Sequence, residues 1–290
     1  MAVSGRRLVP AEWQESARAL YVGLGRVTAR LRLTPGFVMV GASRAGTTSL
    51  FRALSAHPQV LRPTVNKGVR YFDLNYFRSF AWYQGHFPVV ATARRRTADH
   101  GEPMAFEASG YYMFHPLAIE RLARALPQVR IVAMLRDPVE RAYSGWKHES
   151  ARGFEWESFE TALELEDERL EGEVARIAAD RRYESFCHRH HSHRHRGEYA
   201  SQVERIFSAF PSEQVYVLES ENFYREPERE YARLLAFLGL RNVRPRSFGR
   251  HNARPSAAMP EHLSRHLTAH YKGHDEHLAE LLGRRTSWMR

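Results

Sequence analysis

The sequence predicts an α/β fold in which a central parallel sheet is flanked by helices in three layers. Short apolar runs alternate with longer stretches of helical spacing, which is typical of parallel βαβ units. A glycine-rich loop follows the first apolar run, where strand turns into helix. The chain of 290 residues is long enough for one such domain with a substantial core. We therefore predict a single domain over residues 36–290, preceded by a helical extension over residues 1–35.

Each element of this fold is predicted from its own apolar pattern. Strands are predicted at 37–41, 104–107, 129–135 and 214–218. Helices are predicted at 47–56, 116–126, 138–151, 158–178, 199–210, 227–238 and 260–282. Ligands of open α/β sheets bind beyond the carboxyl ends of the strands. The loop after the first strand and the turn after the third both lie at such ends, so we expect them to face one ligand.

The N-terminal extension is predicted to pack on the domain as a helix. Residues 10–33 carry Leu20, Leu24, Val27 and Leu31 at helical spacing, with arginines between them. A peripheral membrane contact through residues 10–33 is the alternative. We expect neither a transmembrane helix, which needs about 20 apolar residues, nor a signal peptide.

The composition indicates an anionic ligand. Lysine and arginine number 43 against 33 aspartates and glutamates, a net charge of +10. The arginines are scattered, and neither zinc-finger spacing nor an aromatic-rich RNA-binding signature is present, so we expect no nucleic-acid partner. The single cysteine, Cys187, cannot form an intrachain disulfide, which suits a reducing compartment. We expect a cytoplasmic protein.

The glycine-rich loop has the sequence Gly41-Ala42-Ser43-Arg44-Ala45-Gly46-Thr47-Thr48-Ser49. Its spacing is that of the nucleotide-binding loop G-x-x-x-x-G-K-[ST], but Thr47 replaces the lysine. Backbone N–H groups at such a turn, together with the helix N-terminus, can hold a phosphate without a side-chain cation. This arrangement suits a nucleotide without a γ-phosphate, and an ordinary tight turn is the alternative. The predicted fold is accordingly P-loop-NTPase-like.

A second motif, Leu135-Arg136-Asp137-Pro138-Val139-Glu140-Arg141-Ala142-Tyr143-Ser144, follows another predicted strand. Together with the glycine-rich loop, it resembles the sulfotransferases that use 3′-phosphoadenosine 5′-phosphosulfate (PAPS). The resemblance is to the carbohydrate and heparan-sulfate-type branch and its soluble bacterial relatives. Further matching segments lie at 67–72, 106–109, 197–203, 237–240 and 282–288. The resemblance therefore covers roughly residues 36–288.

The resemblance implies a nucleotide site. The loop would bind the 5′-phosphosulfate, and the arginine and serine of R-D-P-x-x-R-x-x-S would bind the 3′-phosphate. The nucleotide-binding residues expected on this basis are Arg44, Ala45, Gly46, Thr47, Thr48, Ser49, Arg136, Ser144 and Tyr199. A surface pair of Arg136 with Asp137 or Glu140 is the alternative. We expect no metal, because PAPS has no β/γ-phosphate pair to bridge.

The catalytic residues are harder to predict than the nucleotide-binding residues, because the chain departs from the motifs of the family that it resembles. Sulfuryl transfer needs cations at the transferring group and a base for the acceptor proton. Arg44 replaces the family's loop lysine and cannot give up a proton. Gly68 replaces the glutamate base of K-E-x-x-[FY]-F, and Ala108 replaces an acceptor-side lysine. Substitute bases are Glu107, His148 and His115, and the predicted catalytic residues are Arg44, Glu107 and His148.

A histidine-rich run occupies residues 187–196. Five histidines suggest metal binding, but the arginines between them would repel a cation. We favour a solvated basic loop, and contact with an anionic or sugar acceptor is a further alternative.

The predicted function is therefore that of an enzyme. It would transfer a sulfuryl group from PAPS to a hydroxyl, or as a second choice an amine, of a glycan, glycolipid or secondary metabolite. Gly68 and Ala108 motivate an alternative, a protein that binds PAP, the desulfated product, without turnover. A P-loop kinase is disfavoured, because Thr47 replaces the lysine and no acidic Mg²⁺-binding motif is evident.

Overall fold

The computed structural model of the protein describes residues 23–64, 67–249 and 258–289. Within these residues, five strands form one sheet in which every neighbouring pair is parallel. The strands are β1 (Pro35–Gly41), β2 (Val60–Leu61), β3 (Met104–Ala108), β4 (Arg130–Leu135) and β5 (Val215–Glu219). Their order across the sheet is β2-β3-β1-β4-β5.

Helices connect and cover these strands. They are α1 (Thr47–Ser55), α2 (Phe80–Gln84), α3 (Val90–Thr97), α4 (Ala118–Ala125), α5 (Pro138–Ser150), α6 (Phe159–Glu164), α7 (Glu166–Leu170), α8 (Glu173–Ala179), α9 (Phe186–His190), α10 (Tyr199–Ala209), α11 (Ser220–Arg225), α12 (Pro227–Leu238) and α13 (Glu261–Leu282). A parallel sheet flanked by helices in a P-loop-like arrangement confirms the predicted fold class.

The central strand β1 shows why the sheet forms. Phe37, Val38, Met39 and Val40 are each at most 1% exposed, as expected for a strand that is covered on both faces. β1 pairs with β3 on one side and β4 on the other, and the ring of Phe37 stacks on that of Phe106 of β3 with centroids 4.8 Å apart. The carboxyl ends of these three strands therefore meet at one edge of the sheet.

One predicted helix, 158–178, is wrong as a continuous element. The structure divides it into α6, α7 and α8. Gly172 has φ 72°, a left-handed conformation that does not continue a right-handed helix. Glu166, at the start of α7, is fully buried and accepts the backbone N–H groups of Arg194 and His195. These distant contacts bend the segment, and local propensity does not reveal them.

The described end of the N-terminal extension packs on the domain through small and polar residues. A Cβ on Gly25 would lie 2.4 Å from the carbonyl oxygen of Gly85, and Arg32 donates to the carbonyl of Phe87 at 2.7 Å. Leu24 and Val27, part of the predicted apolar face, are exposed. The first 22 residues lie outside the described part of the chain, so the helix and its membrane contact stay predictions. No described helix has the length and apolarity that a bilayer crossing requires.

Candidate active site

The glycine-rich loop joins β1 to α1 in the predicted place. The N–H of Ala42 donates to the carbonyl of Met134 in β4 at 2.7 Å, which ties the loop to the neighbouring strand. Gly46 precedes α1 with φ 87°, and a Cβ there would lie 2.8 Å from the hydroxyl oxygen of Tyr224. The first N–H groups of α1, from Thr47 and Thr48, have no acceptor within the helix. The loop thus has the form of an anion-binding turn.

Three predicted nucleotide-binding residues from separate elements meet beside this loop. Arg44 Nε donates to Ser144 Oγ at 3.2 Å, and Arg136 Nη1 donates to the carbonyl of Arg44 at 3.5 Å. Arg136 also pairs with Glu140, with nitrogen and oxygen 3.3 Å apart, as the alternative interpretation proposed. The structure therefore contains both arrangements: Arg136 is next to the loop and is held there by a surface carboxylate.

The local sequence explains how Ser144 reaches the loop. Asp137 caps α5 by accepting the N–H groups of Val139 and Glu140, and Pro138 occupies the first turn, where its missing N–H costs nothing. The helix that starts here carries Ser144 two turns later toward Arg44. The D-P pair thus determines where α5 begins.

Tyr199, the first residue of α10, is buried behind the Arg136 turn. Its side chain is 1% exposed. Burial raises the pKa of its hydroxyl, and a contact with the backbone of Arg136 lowers that pKa. Its ring lies 6.3 Å from that of Trp288, near the C-terminus. The structure therefore brings Tyr199 to the back of the predicted nucleotide site.

A cavity of about 270 Å³ opens next to the loop. It is lined by Ser43, Lys67, Gly68, Arg70, Ala108, Ser109, Gly110, Tyr111, His148, Glu149, Arg152, Arg189, His190 and Arg196. Five of these described lining residues carry positive charge, and one carries a carboxylate. The cavity wall is therefore strongly cationic.

Lys67 joins the loop to the cavity, and the predicted site did not include it. Its Nζ lies 3.5 Å from Thr48 Oγ1 and 5.3 Å from the ring centroid of Phe51. Burial lowers the pKa of Lys67 to about 8. A lysine ammonium thus reaches the loop from another segment, although the loop itself has none. The sequence feature that could have indicated Lys67 is its position in the segment 67–72, which resembles the sulfotransferases, immediately before Gly68.

Arg196 was also missed, and it is held rigidly at the cavity. Its guanidinium donates to the carbonyls of His188 and Arg189, at 3.1 Å and 2.6 Å, and lies over the rings of Tyr111 and Phe114. Burial lowers its pKa to about 10. No local pattern marks this residue, because its partners come from two other segments, 111–114 and 188–189.

The candidate bases occupy different environments. His148 lines the cavity, whereas Glu107 is absent from its described lining. Glu107 is fully buried and accepts from the N–H of Val69 and the hydroxyls of Tyr83 and Tyr112, at 2.8, 2.8 and 3.2 Å. Burial raises the pKa of Glu107 to about 7. The structure therefore brings His148 to the cavity and encloses Glu107 behind it.

His115 is also enclosed away from the described cavity wall. It is 3% exposed, its Nδ1 accepts the N–H of Leu117 at 3.2 Å, and burial lowers its pKa to about 3. Its position indicates a neutral, structural histidine.

The interpretation of the histidine-rich run as a solvated basic loop is wrong. Four of its histidines are buried, and all five have hydrogen-bond partners: His188 with Tyr111, His190 with Glu149, His191 with the carbonyl of Phe154, His193 with Glu155 and His195 with Glu166. Three carboxylates, a tyrosine hydroxyl and a backbone carbonyl from other segments thus hold the run in place. Because His190 and the neighbouring Arg189 line the cavity, the run flanks the cleft, as one alternative proposed.

The fold and the cavity together define a class: a P-loop-like α/β protein with a glycine-rich turn beside a cationic cavity. The sulfotransferase domain model matches residues 34–265. The chain belongs to the sulfotransferase family. This result confirms the resemblance found in the sequence.

Known relatives agree with this assignment. The human bifunctional heparan sulfate N-deacetylase/N-sulfotransferase 3 is 26% identical over 88% of this chain, which spans 31% of the relative's length. The membrane-associated sulfotransferase kil1 of Dictyostelium discoideum is 23% identical, with 90% of this chain and 68% of that protein covered. A crystal structure of a sulfotransferase from Alicyclobacillus acidocaldarius matches with a TM-score of 0.67 and 31% identity, over 89% of this chain and 100% of that one.

Proposed function

We propose that the protein transfers the sulfuryl group of PAPS to an acceptor hydroxyl and releases PAP. The observation that carries the proposal is the convergence of Arg44, Arg136 and Ser144 at the anion-binding turn, beside a cationic cavity. An amine acceptor is the second choice. Transfer itself requires no metal in this proposal.

The residues present fit the anionic groups of PAPS. The backbone N–H groups of the loop, with the hydroxyls of Thr47, Thr48 and Ser49, suit the phosphosulfate. Arg136 and Ser144 suit the 3′-phosphate, since a guanidinium and a hydroxyl provide the charge-assisted hydrogen bonds that a phosphate accepts. Glu140 has to release Arg136 when the phosphate arrives.

When bound, PAPS supplies a sulfuryl group attached to a phosphate leaving group. We propose that the Lys67 ammonium stabilises the negative charge of this reaction, because its Nζ lies between Thr48 and the cavity. With a pKa near 8, Lys67 can also donate a proton, which Arg44 cannot. Arg44 would keep a binding role beside Ser144.

The acceptor proton needs a group that reaches the cavity. We propose His148 for this role, because it lines the cavity and a histidine exchanges protons near neutral pH. The earlier candidate Glu107 is fully buried, accepts hydrogen bonds from three donors and is not among the described lining residues of the cavity.

The charge of the cavity favours an acceptor that carries its own negative groups. Arg70, Arg152 and Arg189 face the same space, and an acceptor with several anionic groups could contact more than one of them. Each of the three has a carboxylate partner, with which the acceptor would compete. An acidic glycan, glycolipid or secondary metabolite has this chemistry. The name of the human relative, a heparan sulfate enzyme, supports a glycan. The cytoplasmic location is also proposed, and it rests on the sequence alone.

Two titrations test the nucleotide site. We expect PAP to bind in calorimetry at micromolar concentration or below and ATP with Mg²⁺ to bind much more weakly. A preference for ATP with Mg²⁺ would favour a kinase, and the absence of PAP binding would overturn the proposal. Radiolabelled PAPS with a panel of acidic and neutral glycans then tests transfer. If PAP binds but no acceptor is labelled, the non-catalytic alternative suggested by Gly68 and Ala108 gains support.

A matched pair of variants tests the charge of the acceptor. Arg189→Gln should raise KM for an acidic acceptor and leave PAP affinity unchanged. Arg95→Gln removes the same charge from exposed helix α3 and should change neither value. Equal effects of both variants would mean that net charge alone attracts the acceptor.

A further inference from the structure

We infer that Glu198, His270 and His274 form a binding site for a transition metal ion of the Zn²⁺ type. None of the three lines the cavity described above, so the site is separate from the proposed sulfuryl transfer. Glu198 directly precedes α10, and the two histidines lie on α13. The inference does not rest on the proposed function.

The geometry is that of a site with three protein ligands. One ligand atom from each side chain lies within 4.8 Å of the other two. Glu198 Oε1 and His270 Nε2 are 3.0 Å apart, and the two imidazole centroids are 5.3 Å apart. Ligand atoms around tetrahedral zinc are about 3.4 Å apart, given zinc–nitrogen bonds of about 2.0–2.1 Å. Side-chain rotation alone can close the difference, and a water can take the fourth position.

The helix supplies the histidine pair at the right spacing. His270 and His274 are four residues apart, so they lie one turn apart on the same face of α13. Both are partly buried, and His270 faces Glu198 across the junction of two segments. Two imidazoles and one carboxylate are a ligand set that zinc uses widely.

The surrounding charges permit a cation. The positive charge of Arg194 lies close enough to His270 to repel a cation there. However, the Arg194 guanidinium pairs with the carboxylate of Asp167, which also lies close enough to His270 to attract one.

The site would fasten α13 to the segment that leads into α10. This junction is already tight, because a Cβ on Gly197 would lie 2.6 Å from the hydroxyl of Tyr271. A metal here would hold Glu198 to α13 beside Tyr199, which sits behind the Arg136 turn. We therefore assign the site a structural role that stabilises the folded protein.

Calorimetry and thermal unfolding of the untagged protein with ZnCl₂, after treatment with a chelator, test the site. Wild type should bind one equivalent tightly and unfold at a higher temperature with zinc. His274→Ala and Glu198→Gln should each weaken zinc binding at least about tenfold. His266→Ala is the matched control: it removes an exposed histidine one turn earlier on α13 and should bind zinc as wild type does.

Titration with Co²⁺ gives a second, spectroscopic test. Wild type and His266→Ala should show visible absorption bands of a low-coordinate Co²⁺ site, and Glu198→Gln and His274→Ala should lose them. Circular dichroism and a cooperative thermal unfolding transition verify that each variant still folds. The inference is overturned if wild type binds no zinc, if His266→Ala loses as much affinity as His274→Ala, or if the folded Glu198 and His274 variants both bind like wild type.

Discussion

Gly68 and Ala108 lie directly against each other: a Cβ on Gly68 would come 2.3 Å from the carbonyl oxygen of Ala108. The N–H of Ala108 also donates to the carbonyl of Lys67 at 3.3 Å. Gly68 and Ala108 are two of the positions, besides Arg44, at which the chain departs from the sulfotransferase motifs. Their contact shows that the departures form one structural feature, in which backbone occupies the space that a side chain at position 68 would need.

Substitution of Gly68 tests this contact. We expect Gly68→Ala to destabilise the fold by about 1–3 kcal/mol, because the new methyl group meets backbone that cannot rotate away. Gly68→Glu should not raise turnover, although it restores the family's glutamate. Denaturant unfolding and transfer assays measure both effects. Gly273→Ala, where the structure shows nothing within 4 Å, should instead stabilise by about 0.5–1 kcal/mol. A Gly68→Ala variant as stable as wild type would contradict the contact.

Lys67 should determine the alkaline limit of activity. Its ammonium is lost as the pH rises through about 8, so kcat/KM should fall above that pH. Lys67→Arg keeps the charge at every accessible pH and should lose this alkaline fall, at a lower maximal rate. Exposed Lys272→Arg is the control and should keep the wild-type profile. If Lys67→Arg also keeps that profile, another group carries the alkaline limit.

Arg136 should supply much of the affinity for PAP. We expect Arg136→Ala to weaken binding by about 2–4 kcal/mol in calorimetry, since the 3′-phosphate loses its charged partner. Glu140→Gln makes the opposite change, because it frees Arg136 from the surface pair, and it should bind PAP as tightly as wild type or more tightly. Unchanged affinity in a folded Arg136→Ala protein would remove this residue from the site.

His148 should affect turnover rather than nucleotide binding. We expect His148→Ala to lower kcat by about 10²–10⁴-fold, the usual contribution of a general base, with PAP affinity nearly unchanged. Glu107→Gln should retain most of the turnover, because Glu107 does not reach the cavity. Steady-state rates of both variants at one saturating PAPS concentration compare the two candidates directly. The opposite ranking would return the base to Glu107.

Glu107 should make stability depend on pH. Burial raises its pKa to about 7 from the ordinary value near 4.5. The folded protein therefore binds the proton more tightly than the unfolded chain does. This contribution is complete below about pH 4.5 and disappears as the pH rises through about 7, a change of about 3 kcal/mol. Glu107→Gln should remove that part of the pH dependence in chemical unfolding, and an unaltered slope would contradict it.

Much of the fold could be predicted because its signals are local. The apolar runs of β1, β3, β4 and β5 lie within two residues of the predicted strands, and helices such as α5 and α12 begin at prolines that the sequence displays. The loop and the Arg136 turn could be placed together, because carboxyl ends of parallel strands share one edge. The two-residue β2 and the short helices α2, α3, α9 and α11 carry too little periodicity to be predicted.

The amino-acid sequence by itself therefore determined the α/β class, the anion-binding turn and the sulfotransferase motifs. Only the tertiary structure decided that Lys67 reaches Thr48, that Glu107 is enclosed and that the histidine-rich run is buried against distant carboxylates. Neighbouring side chains on a strand point to opposite faces, so Ala108 lines the cavity while Glu107 does not. The physical reason is that contacts between distant segments depend on strand register and helix packing, which local patterns do not contain.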